Sequence, residues 1–267
     1  MSDLVSTLKM NLQAQPKLTS YKARGPIKAI VIGMLNDHRS TVGVRNVLQS
    51  LRNTQSELDP YVMDATVPAS VEHHLSGFSL QLSDWKYPKS SAERWRCPST
   101  GLELSGYNAS DWTKVVSCMV SHMRAWQFAV DTREAVVVLE HDAKFERQFV
   151  FSDFEDQFTG GVLQLNNPLG ATRRSKVFYD KVMEQTKGNE TQVVEAPWID
   201  HEHIPQGIAG NSAYIIKPEP AQMLLDKVAE IGIWPNDALM CKQLFPWLQV
   251  AYPFYTSLQG IQSTTQG

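Results

Sequence analysis

Cysteine is scarce in this chain, and the three that occur are scattered. Cys97, Cys118 and Cys241 are odd in number, far apart and without a CxxC pair. That pattern excludes a disulfide framework and a zinc ribbon, and fits reduced thiols in a cytosol. No apolar run approaches the roughly 20 residues needed to cross a bilayer, so no membrane span is expected. The N-terminus, "MSDLVSTLKMNLQAQPKLTSYKARGP", lacks an uninterrupted apolar core followed by a small-residue cleavage site. It does not read as a signal peptide, and a cytoplasmic protein is expected. The sequons at Asn108 and Asn189 therefore carry no weight. Charge of one sign is missing too: 25 Lys and Arg stand against 28 Asp and Glu, a formal charge of −3. No global basic field advertises a polyanionic partner.

What is present points to an α/β fold. At 267 residues the chain can hold one large domain with a sizeable core. "IKAIVIGML" (Ile27 to Leu35) is a continuous apolar strand, followed by a polar turn. Val44, Val47, Leu48 and Leu51 then recur at helical spacing, which opens a βαβ unit. Arg39 and Arg45 lie in or just after the turn, where cations could reach a nucleotide, although surface arginines are common. A second helix carries Met119, Met123, Trp126 and Val130 on one face and feeds "VVVLEHDAKF" (Val136 to Phe145). That run reads as a strand buried on both faces and ending in Glu140, His141 and Asp142. In open α/β sheets ligands bind beyond the carboxyl ends of the strands. Acids there could hold a metal, or could simply solvate the loop.

Two segments are locally basic. "SDWKYPKSSAERWRCPSTG" sets Trp85, Tyr87 and Trp95 among Lys86, Lys89, Arg94 and Arg96. Aromatic faces beside cations suit stacking on a sugar or a nucleobase, and the competing reading is a loop whose aromatics tuck onto the body. Arg173 and Arg174 open a second run, where a solvated helix face is the usual cause. "SAYIIK" reads as a further strand, Pro218 starts a helix, and Gly232 ends it. "IWPNDALMCKQL" starts another helix with Asn236 or Asp237 at its cap, Asp237 serving as N-cap or as first-turn carboxylate.

Taken in order, these segments resemble glycosyltransferase family 25. "AIVIGMLNDHRSTVGVRNVL" resembles the family's opening strand and arginine-bearing turn, and "SCMVSHMRAWQFAV" its Cys, Ser-His and Trp helix. "VVVLEHDA" looks like its strand ending in Glu-Asp-Asp-Ala, with His141 replacing an Asp. "GNSAYIIKPEPAQMLL" and "PNDALM" look like its later strand and Asp motif.

The resemblance implies a single GT-A-like domain with a mostly parallel central sheet flanked by helices, over 26–250. An arm at 1–25 and a tail at 251–267 would flank it. It implies a nucleotide-sugar donor, in particular a UDP-sugar, and Mn²⁺ or Mg²⁺ to neutralise the diphosphate leaving group. Glu140 and Asp142 become metal ligands, with His203 (or His201) as a remote ligand. Arg39, Arg45, Ser121 and His122 become donor-binding residues, and Asp237 the general base. Arg94, Trp95, Arg96, Arg173 and Arg174 become acceptor contacts.

The expected acceptor is a saccharide. The wording of "WPNDALMCKQL" and the "STTQG" ending also resemble phage-encoded members, which would act in a host cytoplasm on hydroxymethylated cytosine in DNA, transferring glucose or arabinose. A third expectation is a sugar-nucleotide-binding protein without catalysis, motivated by His141.

Overall fold

The computed structural model describes residues 25–169 and 174–261. The expected arm and Arg173 lie outside the described residues. β1 (Ile27–Gly33) leads into α1 (His38–Asn53), and β2 (Leu58–Asp64) returns parallel to β1. Next come α2 (Val71–Ser76), a hairpin of β3 (Arg94–Arg96) and β4 (Glu103–Ser105), the long α3 (Trp112–Thr132) and β5 (Val136–Glu140). The chain continues through β6 (Ala143–Phe145), β7 (Val162–Gln164), α4 (Ser175–Gln185) and β8 (Gln192–Glu195). It closes with β9 (Ala213–Ile216), α5 (Pro218–Ile231), α6 (Asn236–Leu239), β10 (Leu248–Tyr252) and β11 (Thr256–Leu258).

A seven-stranded sheet in the order β2-β1-β5-β9-β7-β10-β8 forms the centre. Five strands run one way, while β9 and β8 run against them. The sheet is therefore mostly parallel in strand direction, with the reversed β9 inserted between β5 and β7. β5 is buried from Val136 to Leu139, as its unbroken apolar run requires. Val136, Val138, Tyr214 and Ile216 face the core under α3 and α5, whereas Val137, Leu139 and Ile215 face α1 and a phenylalanine cluster.

One open alternative of the sequence reading is settled and two details change. Trp85 and Tyr87 are 7% and 5% exposed and pack into the core beside Trp234, so the loop's aromatics do tuck back. Trp95 alone of the three stays out, 42% exposed. The cap of α6 is Pro235, whose ring offers no hydrogen-bond acceptor, and Asn236 and Asp237 are its first two helical residues. The expected boundary at residue 250 falls inside β10, and β11 pairs with β6 beyond it. The segment after residue 250 is thus part of the fold as far as Leu258, because its backbone completes a ladder.

Candidate active site

β1 connects to β2 on one side, while β5 lies on its other side, so the strand order switches direction between β1 and β5. A crevice opens beyond the carboxyl ends at such a point. Here it is a cavity of about 280 Å³ whose apolar wall includes Ile32, Met34, Ala65, Val67 and Pro68. Ile32 is opposite Glu140 in the parallel register, which sets the Glu-His-Asp turn at the cavity's edge. α1 presses directly on that turn: a side chain at Gly43 would collide with the carbonyl of His141.

The opposite wall is a stripe of α3. Lys114, Ser117, Cys118, Ser121 and His122 recur at three- and four-residue spacing and all line the cavity. Only Ser121 and His122 were expected from the sequence. The signal for the others was a small, polar i, i+3, i+4 stripe beside the apolar one. Lys114 brings a cation into the wall that the arginine-bearing turn was expected to supply. Arg39 and Arg45 are exposed on α1 and do not line the cavity.

Ser121 and His122 are largely committed to the protein. Ser121 Oγ accepts the Thr66 N–H at 2.9 Å and donates to the Ser117 carbonyl at 2.9 Å, which pins the loop after β2 to α3. The Trp126 indole N–H donates to the Tyr214 hydroxyl at 2.8 Å. That hydroxyl lies 2.8 Å from His122 Nδ1, and His122 Nε2 lies 3.1 Å from Glu140 Oε1. A carboxylate only accepts, so Nε2 donates to Glu140, and Nδ1 shares a hydrogen bond with the Tyr214 hydroxyl. The relay aims Glu140 and leaves no ring nitrogen of His122 for a ligand. We expect His122→Ala to leave Glu140 unanchored and to lower the melting temperature by an amount equivalent to about 1–3 kcal/mol, read by thermal unfolding. An unchanged melting point would sink the relay as a structural anchor.

The acids converge. Burial opposes ionisation of Glu140, but the His122 hydrogen bond and the His122 and His141 rings outweigh it and hold its pKa below the usual value. Asp142 is pushed up to about 7 by burial and by the Glu140 charge. Its Oδ1 is buried with no partner. Asp237 is also raised, first by burial, and the Glu140 charge adds to the shift. Cys118 feels burial and then the charges of Glu140, Asp237 and Asp142, and its thiol is pushed well above its ordinary pKa. Burial pulls the His141 ring down, against Glu140 and Asp37.

This donor set fits a hard divalent cation. An orphaned carboxylate oxygen beside a second carboxylate is stabilised by a cation, and oxygen ligands suit Mg²⁺ and Mn²⁺. Cys118, His122 and Glu140 also bring ligand atoms within 4.8 Å of one another. His122 is spent on its two hydrogen bonds, however, and a thiol with a raised pKa is a poor thiolate. The carboxylates are the better donors. His203 is not brought to them: its backbone carbonyl accepts from Glu103, its ring lies 3.7 Å from Glu202, and neither it nor His201 lines the cavity.

Asp237 Oδ1 accepts the Tyr107 hydroxyl at 2.5 Å. Tyr107 follows β4, so the exposed hairpin bearing Arg94, Trp95 and Arg96 is tied to this carboxylate within a few residues. Arg96 also pairs with Glu103 at 3.6 Å. Arg174 forms an ion pair with Asp200 on a different part of the surface chain.

Sequence reasoning missed Gln259. Its backbone N–H donates to the Asp142 carbonyl at 2.8 Å. Its side-chain amide nitrogen lies 3.1, 3.1 and 2.7 Å from the carbonyls of Gly43, His141 and Ala143. One glutamine from the last described strand region thereby clamps the Glu-His-Asp turn. No spacing in the sequence announces a contact made over more than a hundred residues.

An α/β sheet with acids gathered at its switch point defines a ligand-binding cleft of the α/β class. Residues 113–240 match the model of glycosyltransferase family 25 (LPS biosynthesis protein), a stretch that runs from α3 through Glu140 and Asp142 to Asp237. Over that segment, just under half of its length, the chain is similar to family 25. No curated protein matches. Among solved structures, mouse xyloside xylosyltransferase 1 in its apo form is 14% identical, with 92% of this chain and 78% of that one covered at a TM-score of 0.38. Galactosyltransferase LgtC with donor and acceptor sugar analogues is 10% identical, covering 84% and 73% at 0.38. The apo form of GlyE from Streptococcus pneumoniae TIGR4 is 12% identical, covering 87% and 45% at 0.35. At these TM-scores the three are likenesses of outline and carry no argument. Among the described residues no helix is long and apolar enough to cross a membrane.

Proposed function

We propose that this GT-A-like domain transfers a sugar from a nucleotide-sugar donor, a UDP-sugar, to a hydroxyl of a saccharide acceptor, with a divalent metal bound. The observation that carries the reading is the cavity at the switch point, lined by Glu140 and Asp142 opposite Lys114, with Asp142 Oδ1 buried and unpartnered. Asp142 and Glu140 would hold Mn²⁺ or Mg²⁺, which supplies Lewis-acid neutralisation of the diphosphate when bound. The apolar wall of Ile32, Ala65, Val67 and Pro68 gives a nucleoside a dry face, and Lys114 offers its phosphates a cation. The acceptor oxygen attacks the anomeric carbon, the bond from that carbon to the phosphate oxygen breaks, and the acceptor proton passes to the Asp237 carboxylate. A donor screen read by nucleotide release, with and without metal, tests the reading. Release by no donor with any acceptor overturns it.

Burial makes Asp237 a stronger base than an exposed carboxylate, and the Tyr107 hydrogen bond restrains it. A base must be ionised to act, so kcat should fall as pH drops through a pKa above the usual carboxylate range. Tyr107→Phe removes the restraint. Its acid limb should move to higher pH, with kcat lowered at neutral pH through lost positioning. A kcat–pH profile superimposable on that of the wild type would show that Tyr107 does not hold a base.

Arg94 and Arg96, exposed on either side of Trp95, support the hairpin as an acceptor contact. Charge reversal at both should raise the acceptor KM several-fold and leave the donor KM alone. The same pair decides the DNA alternative: with hydroxymethylated DNA the reversal should flatten the salt dependence of binding. Unchanged acceptor kinetics in both assays would return the hairpin to ordinary solvated surface.

A further inference from the structure

Buried polar side-chain atoms without partners collect at one place in this fold. Apart from three indole nitrogens and the Tyr255 hydroxyl, those among the described residues are Asp142 Oδ1, Gln164 Oε1, both amide atoms of Asn211, and Ser212 Oγ. All belong to the edge where β5 and β7 end and the reversed β9 begins, on the side of Asp142 away from β1 and β2. Asn211, Ser212 and Gln164 are 7%, 5% and 0% exposed. Native interiors pair almost all such groups, so a cluster of orphans calls for a partner outside the chain.

The loop that carries them is held at both ends. Gln164 Nε2 donates to the carbonyls of Ala209 and Asn166, which spends its donors and leaves Oε1 as the spare acceptor. The Ser212 carbonyl accepts the Glu140 N–H at 2.8 Å. Further back, Gly207 lies so close to the Asp237 carbonyl that no side chain would fit there. The segment 207–212 therefore spans from the Asp237 helix to the Glu140 strand end. Ser212 adjoins the Glu140 strand end with its hydroxyl unspent, and Asn211 precedes it with its amide unspent.

The two sides of Asp142 differ in chemistry. Toward β1 and β2 the wall is apolar and suits a nucleobase. Toward β9 and β7 the unspent groups are an amide, a hydroxyl and an amide oxygen, a mixed set of donors and acceptors. A ring of sugar hydroxyls, each able to donate and accept, is the ligand that set suits. We propose that Asn211 and Ser212, with Gln164 Oε1, form the subsite for the hydroxyls of the transferred sugar. The assignment rests on the reading of the cleft as a nucleotide-sugar site.

The test separates sugar from nucleotide. Affinities of the wild type, Asn211→Ala and Ser212→Ala are measured by calorimetry with Mn²⁺ for UDP, GDP and a panel of their sugar conjugates, and each apo protein is melted. In Asn211→Ala the nucleoside diphosphate Kd should stay within about twofold, while that of the preferred nucleotide-sugar weakens about tenfold or more, because a site built around hydroxyls loses a specific partner. Ser212→Ala, the smaller deletion, should show the same asymmetry more weakly. The apo melting points should hold or rise, since an unpartnered polar group is being removed. Equal weakening of nucleotide and nucleotide-sugar overturns the subsite, as does no weakening of either. A lowered apo melting point with unchanged binding would mean that ordered water alone satisfies these groups. Wild type that binds none of these nucleotides would overturn the parent reading, an outcome that no variant result can mimic.

Discussion

Asp142→Ala is expected to lower turnover by a factor of about 100 or more while the apo protein melts no lower than the wild type. The two halves of that result have one cause. Asp142 is a carboxyl buried beside the Glu140 charge, with Oδ1 unpartnered, and these surroundings push its pKa to about 7. In the protein alone such a group contributes nothing to folding, because burial and a like charge both oppose its ionised form. Its value appears when a divalent cation is bound and leaving-group charge must be neutralised, an effect worth several kcal/mol in a site that excludes water. Calorimetric titration with Mn²⁺ should show the affinity collapse in the variant. Full activity of Asp142→Ala, or of the wild type in excess chelator, would remove the metal from the mechanism. A large fall in melting temperature would instead make Asp142 a structural residue of the turn that Gln259 clamps.

The second large effect is expected at Asp237. Asp237→Asn keeps an oxygen to accept the Tyr107 hydroxyl and the shape of the first turn of α6, so melting and donor binding should stay near wild type. An amide cannot take the acceptor proton, and kcat should fall by about 100-fold or more. Asp237→Ala should behave alike, with an added stability loss of about 1 kcal/mol from the lost hydrogen bonds. Saturating donor and metal are needed, so that weakened binding cannot pass for lost chemistry. Normal turnover by Asp237→Asn would make the residue a helix-turn anion and place the base elsewhere. Lost donor binding would move it into the metal or nucleotide shell.

Gln259→Ala offers a smaller, separate check on the turn itself. Its side-chain amide is the contact that binds the end of the described chain to the carbonyls of Gly43, His141 and Ala143. Removing it should cost about 1–3 kcal/mol in chemical unfolding and raise the metal concentration needed for half-maximal activity. Stability equal to wild type would mean that β11 alone holds the turn.

The elements that could be read from the sequence are those whose signal is local. β1 and β5 declare themselves as unbroken apolar runs, α3 by its Met119, Met123, Trp126 face, and α5 by Pro218 at its start and Gly232 at its end. The acids at the end of β5 follow from position alone, since the carboxyl end of a buried strand is where such folds place ligands. The cap of α6 was misread for an equally local reason: Asn and Asp are good caps wherever they stand, and the sequence does not say that Pro235 takes the turn. Trp85 and Trp95 have similar neighbours in sequence, yet one is core and one is surface, because burial depends on what packs above the loop.

Residue order thus determined the apolar runs, the helix stripes and the presence of Glu140, Asp142 and Asp237, because each is set by side chains within a few positions of one another. The tertiary structure alone decided that β9 runs against its neighbours and that His122 is spent on Tyr214 and Glu140. It also decided that Asp237 comes within the field of Glu140, that Gln259 clamps the turn, and that the unpartnered atoms of Gln164, Asn211 and Ser212 gather where β9 begins. Each of these joins residues from distant parts of the chain. Such a pairing leaves no periodicity to read, since its energy is realised only when the sheet brings the two ends together.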